Sequence, residues 1–474
     1  MAIPEVTISI QDYALGLTPE AEDLVQAVFG VCSAGAADVP TLITNVATLR
    51  STFGYGPAVE AAALALQIGG GPIVFTRVTG SVAGVWSAVT AVGTSPTLTL
   101  SGLPFDSYSL RVEVTTGGAL GTAILRVSLD NGQTYQSGIV SAATITLTGT
   151  GTTLNFAAGT YVAGDTYFAV AQEPYFASAD INTAIDALVA STLTVGSMHV
   201  VGAAQGALAQ DKANAAKVIA AAVGAKLASM STSSFRYTFA IVDTPNVPIA
   251  NLSAATAFGP GYADSRILVP FGYPLTVSAT DGRIVARSAG YSIAARCTRA
   301  PVGEDLGRVA SGPLSEIASL SSTDDARVDP TADTARFSTL RTHIGLTGFY
   351  ITQGLMMAAT GSDFRLVQAR RVIDKACATT RARLLRYLNS SVRVNANGTI
   401  DEVDARNIES DVTTALRDAL VGPGDATAVT AVIDRTTNVV TTSKIVVRVR
   451  VTPRGYLKTI EAEIAFQNPA VAVA

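Results

Sequence analysis

Residues 41–80 read TLITNVATLRSTFGYGPAVEAAALALQIGGGPIVFTRVTG, and this stretch decides the fold class. Thr41–Ile43 has the character of a short strand, and Asn45 is placed to cap a helix running through Thr52. FGYGP at 53–57 is a turn. Ala58–Ile68 predicts an alanine-rich helix stopped by Gly69, Gly70 and Gly71. Pro72 then opens the strand IVFTRV. Strand, helix, glycine stop, strand is the grammar of α/β packing. The same grammar returns at 181–243, where INTAIDALVAS, SMHVVG, DKANAAKVIAAAVGAKLASM and FRYTFAIVD alternate helix and strand.

Between these two regions the composition changes. Residues 81–172 hold six charged side chains, Asp106, Arg111, Glu113, Arg126, Asp130 and Asp165, in a background of Thr, Ser, Gly and Val. Short alternating runs (TLTLSGL, SLRVEV, AILRVSL, TITLTG, TYFAVA) recur between Gly, Asn and Pro turns, which predicts a β-sandwich inserted into the α/β region. Ser128–Tyr135 matches an SxDxGxT pattern followed by an aromatic residue. A tight hairpin turn is its expected role, with Asp130 bonding backbone and Gly132 taking the positive φ.

The whole chain has 474 residues, 15% of them charged, with 37 acidic and 33 basic side chains and a net charge of −4. Ordinary domains carry roughly 25% charged residues. A deficit of charge on a chain this long implies surface that is covered by other copies. The acidic balance argues against bulk nucleic-acid binding. Cys32, Cys297 and Cys377 are too few and too scattered for a disulfide framework or a metal clamp, which fits a reducing compartment. The opening residues lack a basic region ahead of an apolar one, so no signal peptide is expected, and no apolar window is long enough to span a bilayer.

Motifs that carry chemistry are missing. His199 and His343 have no companion at helical spacing, so zinc sites of the HExxH kind are not expected. GxSxG, GxxxxGK[ST] and GxGxxG do not occur. Asp324, Asp325 and Asp329 read as a solvated loop. The chain is therefore expected to be neither an enzyme nor a cofactor or metal carrier.

The clearest helix covers 363–389. Leu366, Ile373, Thr380 and Leu384 share one stripe, and Arg371, Lys375 and Arg386 fall within about 60° of each other on the opposite face. Seven basic residues against two acidic ones give this segment a net of +5. That concentration predicts contact with an anionic partner surface. A helix at 402–420 follows. At the two ends of the chain, alternating strands stand out: Val6, Ile8 and Ile10 in the first, Ile445–Val451 and then Ile460, Ile464 and Phe466 in the last. They either close a sheet within the chain or leave it to extend a neighbour's sheet, a heterologous link that builds rings or filaments.

Taken in order, four stretches resemble the contractile phage tail sheath family. They are 41–80, FAIVDTP at 239–245 with ADSRILVPFGYPL at 263–275, RFSTLRTHIGLTGFYITQGLMMA at 336–358, and VRVRVTPRGYLKTIEAEIAFQNP at 447–469. The resemblance spans most of the chain except 81–172. Departures at 287–301 (RSAGYSIAARCTRAP) and 349–354 (FYITQG) make it a divergent, Mu-like or other remote myophage sheath. The implied architecture is α/β and α+β multidomain. It comprises a linker arm (1–20), a sheath α/β domain in two parts (21–80 and 173–325), an inserted β-sandwich-like surface domain (81–172), and a C-terminal α+β inner domain (326–474) completed by exchanged strands.

The resemblance implies hexameric rings of this chain stacked helically around a tail tube protein, bounded by baseplate and tail terminator proteins. Contraction then drives the tube through a bacterial envelope. Direct nucleic-acid contact and membrane insertion are not implied; the subunit belongs to the virion tail and assembles in the host cytoplasm. Tube contact through Arg371, Lys375 and Arg386, and intersubunit strands through Val6, Ile8, Ile10, Ile460, Ile464 and Phe466, are the corresponding site expectations. The main alternative is an outer structural or adhesion protein that binds glycans through 81–172. A serine hydrolase is a third class, disfavoured by the lack of triad spacing.

Overall fold

The computed structural model describes residues 22–466. The proposed arm at 1–20, with Val6, Ile8 and Ile10, lies outside the described residues. The chain divides into two compact units, Met1–Asn389 and Ser390–Ala474.

The first unit is built on a six-stranded sheet. From edge to edge its strands are Ile267–Leu268, Phe239–Val242, Ser197–Val200, Gln26–Gly30, Ile73–Arg77 and Thr41–Ile43. All neighbours are parallel except the last pair. Parallel strands covered on both faces read as continuous apolar runs, as these do. Ala27, Phe29, Val74, Val200 and Val242 face helices Ser178–Ala190 and Ala209–Ser229. Val28, Ile73 and Phe75 face helix Pro57–Gly69. The two-residue side-chain period of a strand thus serves two cores.

The local signals in 41–80 work as read. Asn45 accepts from the Thr48 amide at 2.8 Å and opens helix Val46–Phe53. Gly70, at φ 69°, closes helix Pro57–Gly69 in the left-handed conformation, its amide returning to the Leu66 carbonyl.

Between Ile73–Arg77 and Ser178–Ala190 every regular element is a strand. One sheet runs Gln136–Val140, Ile124–Ser128, Ser109–Thr116, Thr166–Gln172 and Val85–Trp86; a second holds Thr144–Leu147, Thr152–Phe156 and Leu98–Ser101. They enclose a separate core that includes Leu110, Val112, Leu125, Leu154, Phe156 and Tyr167. At the 128–135 hairpin Asp130 accepts from the Thr134 amide and hydroxyl at 2.8 and 2.7 Å, with Gly132 at φ 93°.

The boundary drawn at 325 differs from the structure: residues 326–389 belong to the first unit. Ser338 pairs with Pro270 and Met356 with Leu268, beside the edge strand of the large sheet. Leu340, Ile351, Met356 and Val367 share a core with Phe239, Ile241 and Leu268. Burying side chains of this size is worth roughly 1.5–3 kcal/mol each, which ties the segment to the sheet.

In the second unit, helix Glu402–Leu416 is capped by Asp401, which accepts from the Val403 amide at 3.0 Å. It packs on the hairpin Ala428–Ile433/Val447–Thr452, whose Val429, Ala431 and Ile433 point inward. The second terminal strand read at 460–466 has no regular structure among the described residues. A strand is stable only against a neighbour that takes up its N–H and C=O groups, and no described residue pairs with this one.

Candidate functional site

The basic helix is Val367–Leu384, followed by a turn of 3-10 helix at Leu385–Tyr387. Its faces are reversed from the sequence reading. Val367, Arg370, Arg371, Val372 and Asp374 are buried, while Leu366, Ile373, Thr380 and Leu384 are only half-buried. Arg371 is therefore not part of an exposed contact face. Its guanidinium donates to the carbonyls of Cys297, Ala300 and Pro301 at 3.3, 3.0 and 3.3 Å. Those carbonyls lie at the end of helix Gly290–Arg299. A helix C-terminus carries orphan carbonyls and partial negative charge, and a buried cation satisfies both. Periodicity alone missed this because an arginine that caps another helix reads the same as a solvated one.

Arg370 donates from Nε to Asp374 at 3.0 Å, and Asp374 also takes Arg266 Nη1 at 3.1 Å. Lys375 pairs with Asp23 at 3.2 Å, so it holds the start of the described chain against this helix. Arg386 alone of the three predicted contact residues is exposed. Ile460, Ile464 and Phe466 are likewise exposed, Ile464 at 96%. Large apolar side chains clustered this openly are the kind of surface that a partner can cover.

One buried cluster has the composition of a hydrolase site without its order. Ser288 Oγ donates to Asp243 Oδ1 at 2.9 Å, and His199 Nε2 stands 3.2 Å from the same oxygen. All three residues are buried. Base catalysis requires the imidazole between serine and carboxylate; here the carboxylate sits in the middle and holds the serine proton itself. Among the described residues no cluster of His, Cys, Asp and Glu is arranged to hold a metal ion, and no helix is long and apolar enough to cross a membrane. Asp325, offered as a loop carboxylate, accepts from the Arg327 and Thr342 amides and shapes its own turn.

A second buried network went unread in the sequence. Arg287 donates to Asp106 and Ser107 of the insertion, pairs with Glu60 of helix Pro57–Gly69, and lies 3.4 Å from Glu173. Arg283 reaches Asp106 at 3.1 Å and covers the Tyr108 ring. The Ile284 amide donates to Asp130 at 3.2 Å, so the hairpin carboxylate also ties the insertion to the body. Burial works to raise the Asp106 pKa, but Arg287 and Arg283 outweigh it and hold it below the usual carboxylate range. Burial wins at Glu60, whose pKa is raised despite Arg287. The available signal was Glu60 itself, a lone carboxylate inside an otherwise apolar helix.

The chain matches the sequence family described as DUF2586, N-terminal domain, over residues 3–355, and DUF2586, C-terminal domain, over 363–471. No curated protein matches it by sequence. Its fold is similar to that of a chain in the contracted sheath complex of PVC, an extracellular contractile injection system, with 11% identity, 98% of each chain covered and a TM-score of 0.53. It is also similar to a chain of the anti-feeding prophage (AFP) baseplate, with 12% identity, 98% of this chain and 99% of that one covered, and a TM-score of 0.52. A sheath tail protein of Listeria innocua matches over 90% of this chain and 91% of its own at 13% identity, TM-score 0.47. The fold is thus a mixed α/β multidomain one of the contractile-sheath type.

Proposed function

We infer that this chain, which belongs to the DUF2586 family, is the structural subunit of a contractile tail sheath. The observation that carries the inference is fold similarity over nearly the full length of chains from contractile particles. Under this reading copies form hexameric rings stacked around a tail tube protein, between baseplate and terminator proteins. Contraction drives the tube through a bacterial envelope. The subunit resides in the tail of a virion or related injection particle and assembles in the host cytoplasm. It is not an enzyme; the work comes from rearranged contacts between copies. The α/β body (21–80 and 173–389) and the strand-exchanging C-terminal unit (390–474) carry the assembly, and 81–172 decorates it.

Exchanged strands are the links. The 460–466 segment, alternating in sequence and without a strand partner among the described residues, joins the sheet of a neighbour, with Val6, Ile8 and Ile10 doing the same at the other end. Backbone hydrogen bonds give such links direction and strength, and a heterologous pairing propagates. Tube contact falls to the exposed end of the basic helix around Arg386, with Arg371 and Lys375 committed inside the chain. Exposed ion pairs worth about 0–1 kcal/mol each suit a grip that must release. Nothing in the site geometry favours the glycan-binding alternative. Electron microscopy of chains lacking 1–12 or 457–474 tests the reading: folded protein that no longer polymerises supports it, and normal tubes from either deletion count against it.

A further inference from the structure

We propose that the seam between the inserted β-structure and the parallel-sheet body is a proton-linked latch, which grips when Glu173 carries a proton and loosens when it loses it. Glu173 follows Thr166–Gln172, the last strand of the insertion, so it sits where the chain re-enters the body. One of its oxygens accepts from the Ala203 amide at 2.6 Å, beyond strand Ser197–Val200, and the other lies 3.4 Å from Arg287 Nη1. Arg287 is already engaged by Asp106 and Glu60, so Glu173 has only a share of one guanidinium.

The charges around it do not balance. Four buried carboxylates, Glu60, Asp106, Glu173 and Asp243, face two buried guanidiniums, Arg283 and Arg287. Asp243 Oδ2 has no hydrogen-bond partner, and His199 and Ser288 both approach Asp243 at its other oxygen. Tyr175, Tyr273 and Tyr291 pack around the site as neutral phenols. Lys212 stands half-buried on the wall of a cavity of about 300 Å³ that also exposes Glu173, Asp243 and Arg287, so water and protons reach the carboxyl. A proton on one carboxylate relieves the excess. Asp243 accepts from the Ser288 hydroxyl and faces His199, whereas Glu173, on the cavity wall with one long contact to a shared guanidinium, is the one that takes it. Burial pushes its pKa up to about 7; Arg287 and the Ala203 amide oppose this, and Asp106 and Asp243 reinforce it.

The sign follows from linkage. Released into water, Glu173 returns to an ordinary value near 4.3, so the closed seam binds a proton that the open seam does not. Closure is favoured at low pH, and the grip falls as pH rises from there through about 7. Between pH 5.5 and 8.5 the opening equilibrium should rise roughly 30-fold.

Hydrogen exchange of the full chain, corrected for intrinsic rate, reads this opening in peptides spanning 104–110, 200–206 and 281–287. Peptides from 428–433 serve as the reference. Wild type should show the rise in the seam alone. Glu173→Gln, which keeps an acceptor for the Ala203 amide but cannot ionise, should hold the seam closed and flat across the range. A flat wild type, or the same rise in the variant, overturns the latch. If Glu173→Gln does not fold, Asp243→Asn replaces it: removing that neighbouring charge should move the midpoint toward acid, and an unmoved midpoint overturns the latch equally.

Discussion

Arg371 and Arg386 lie on one helical face in sequence, yet they make opposite predictions. Arg371→Ala strips donors from three carbonyls at the end of helix Gly290–Arg299, those of Cys297 and Ala300 buried, which should cost about 1–3 kcal/mol in denaturant unfolding. Arg386→Glu should leave stability within about 0.5 kcal/mol while weakening co-sedimentation with tail tubes. Equal destabilisation by the two would mean that the burial assigned to Arg371 is wrong. Arg287→Met is the severest single change expected. It leaves Glu60 and Asp106 buried against a lone Arg283, a loss of about 3–5 kcal/mol measured in the same way. At this scale sequence was a poor guide, since a charged side chain does not declare its partner. Arg371 finds its carbonyls at least 70 positions away, and Arg287 and Asp106 find each other across 181.

Elements were far more legible. Asn45, Gly70 and the Asp130 hairpin act through neighbours within four residues, so their signals survive without tertiary context. Gly70→Ala places a side chain at a left-handed position with open space around it. Only backbone strain opposes the change, and a loss of about 1 kcal/mol in thermal unfolding is expected. Apolar runs marked the parallel strands Ile73–Arg77, Ser197–Val200 and Phe239–Val242, whereas Gln26–Gly30 and Ile267–Leu268 went unread, and a drop in charge marked the insertion. One element was misread: the helix at 367–384 was assigned its faces by apolar periodicity, although it buries an ion cluster. The 460–466 segment, read as a strand from alternation, has no paired edge among the described residues, and a strand needs an edge to join. Removing 457–474 should therefore leave the circular-dichroism spectrum and melting of the monomer nearly unchanged while abolishing polymerisation. A folding defect in that deletion would place the segment inside its own subunit.

At the scale of the whole molecule, low charge, an exposed C-terminal segment and a fold similar to that of chains from contractile particles are what support the proposal of self-assembly. The boundary at 325 was the main error of organisation: the core around Leu268, Leu340 and Val367 joins segments that composition separates. Self-assembly is tested most directly by imaging the purified full-length chain in the electron microscope across concentration and salt. Hollow helical tubes with sixfold symmetry, their walls built by strands crossing between subunits, are the predicted outcome. A monodisperse monomer under every condition, with 460–466 folded back into its own sheet, would contradict the account.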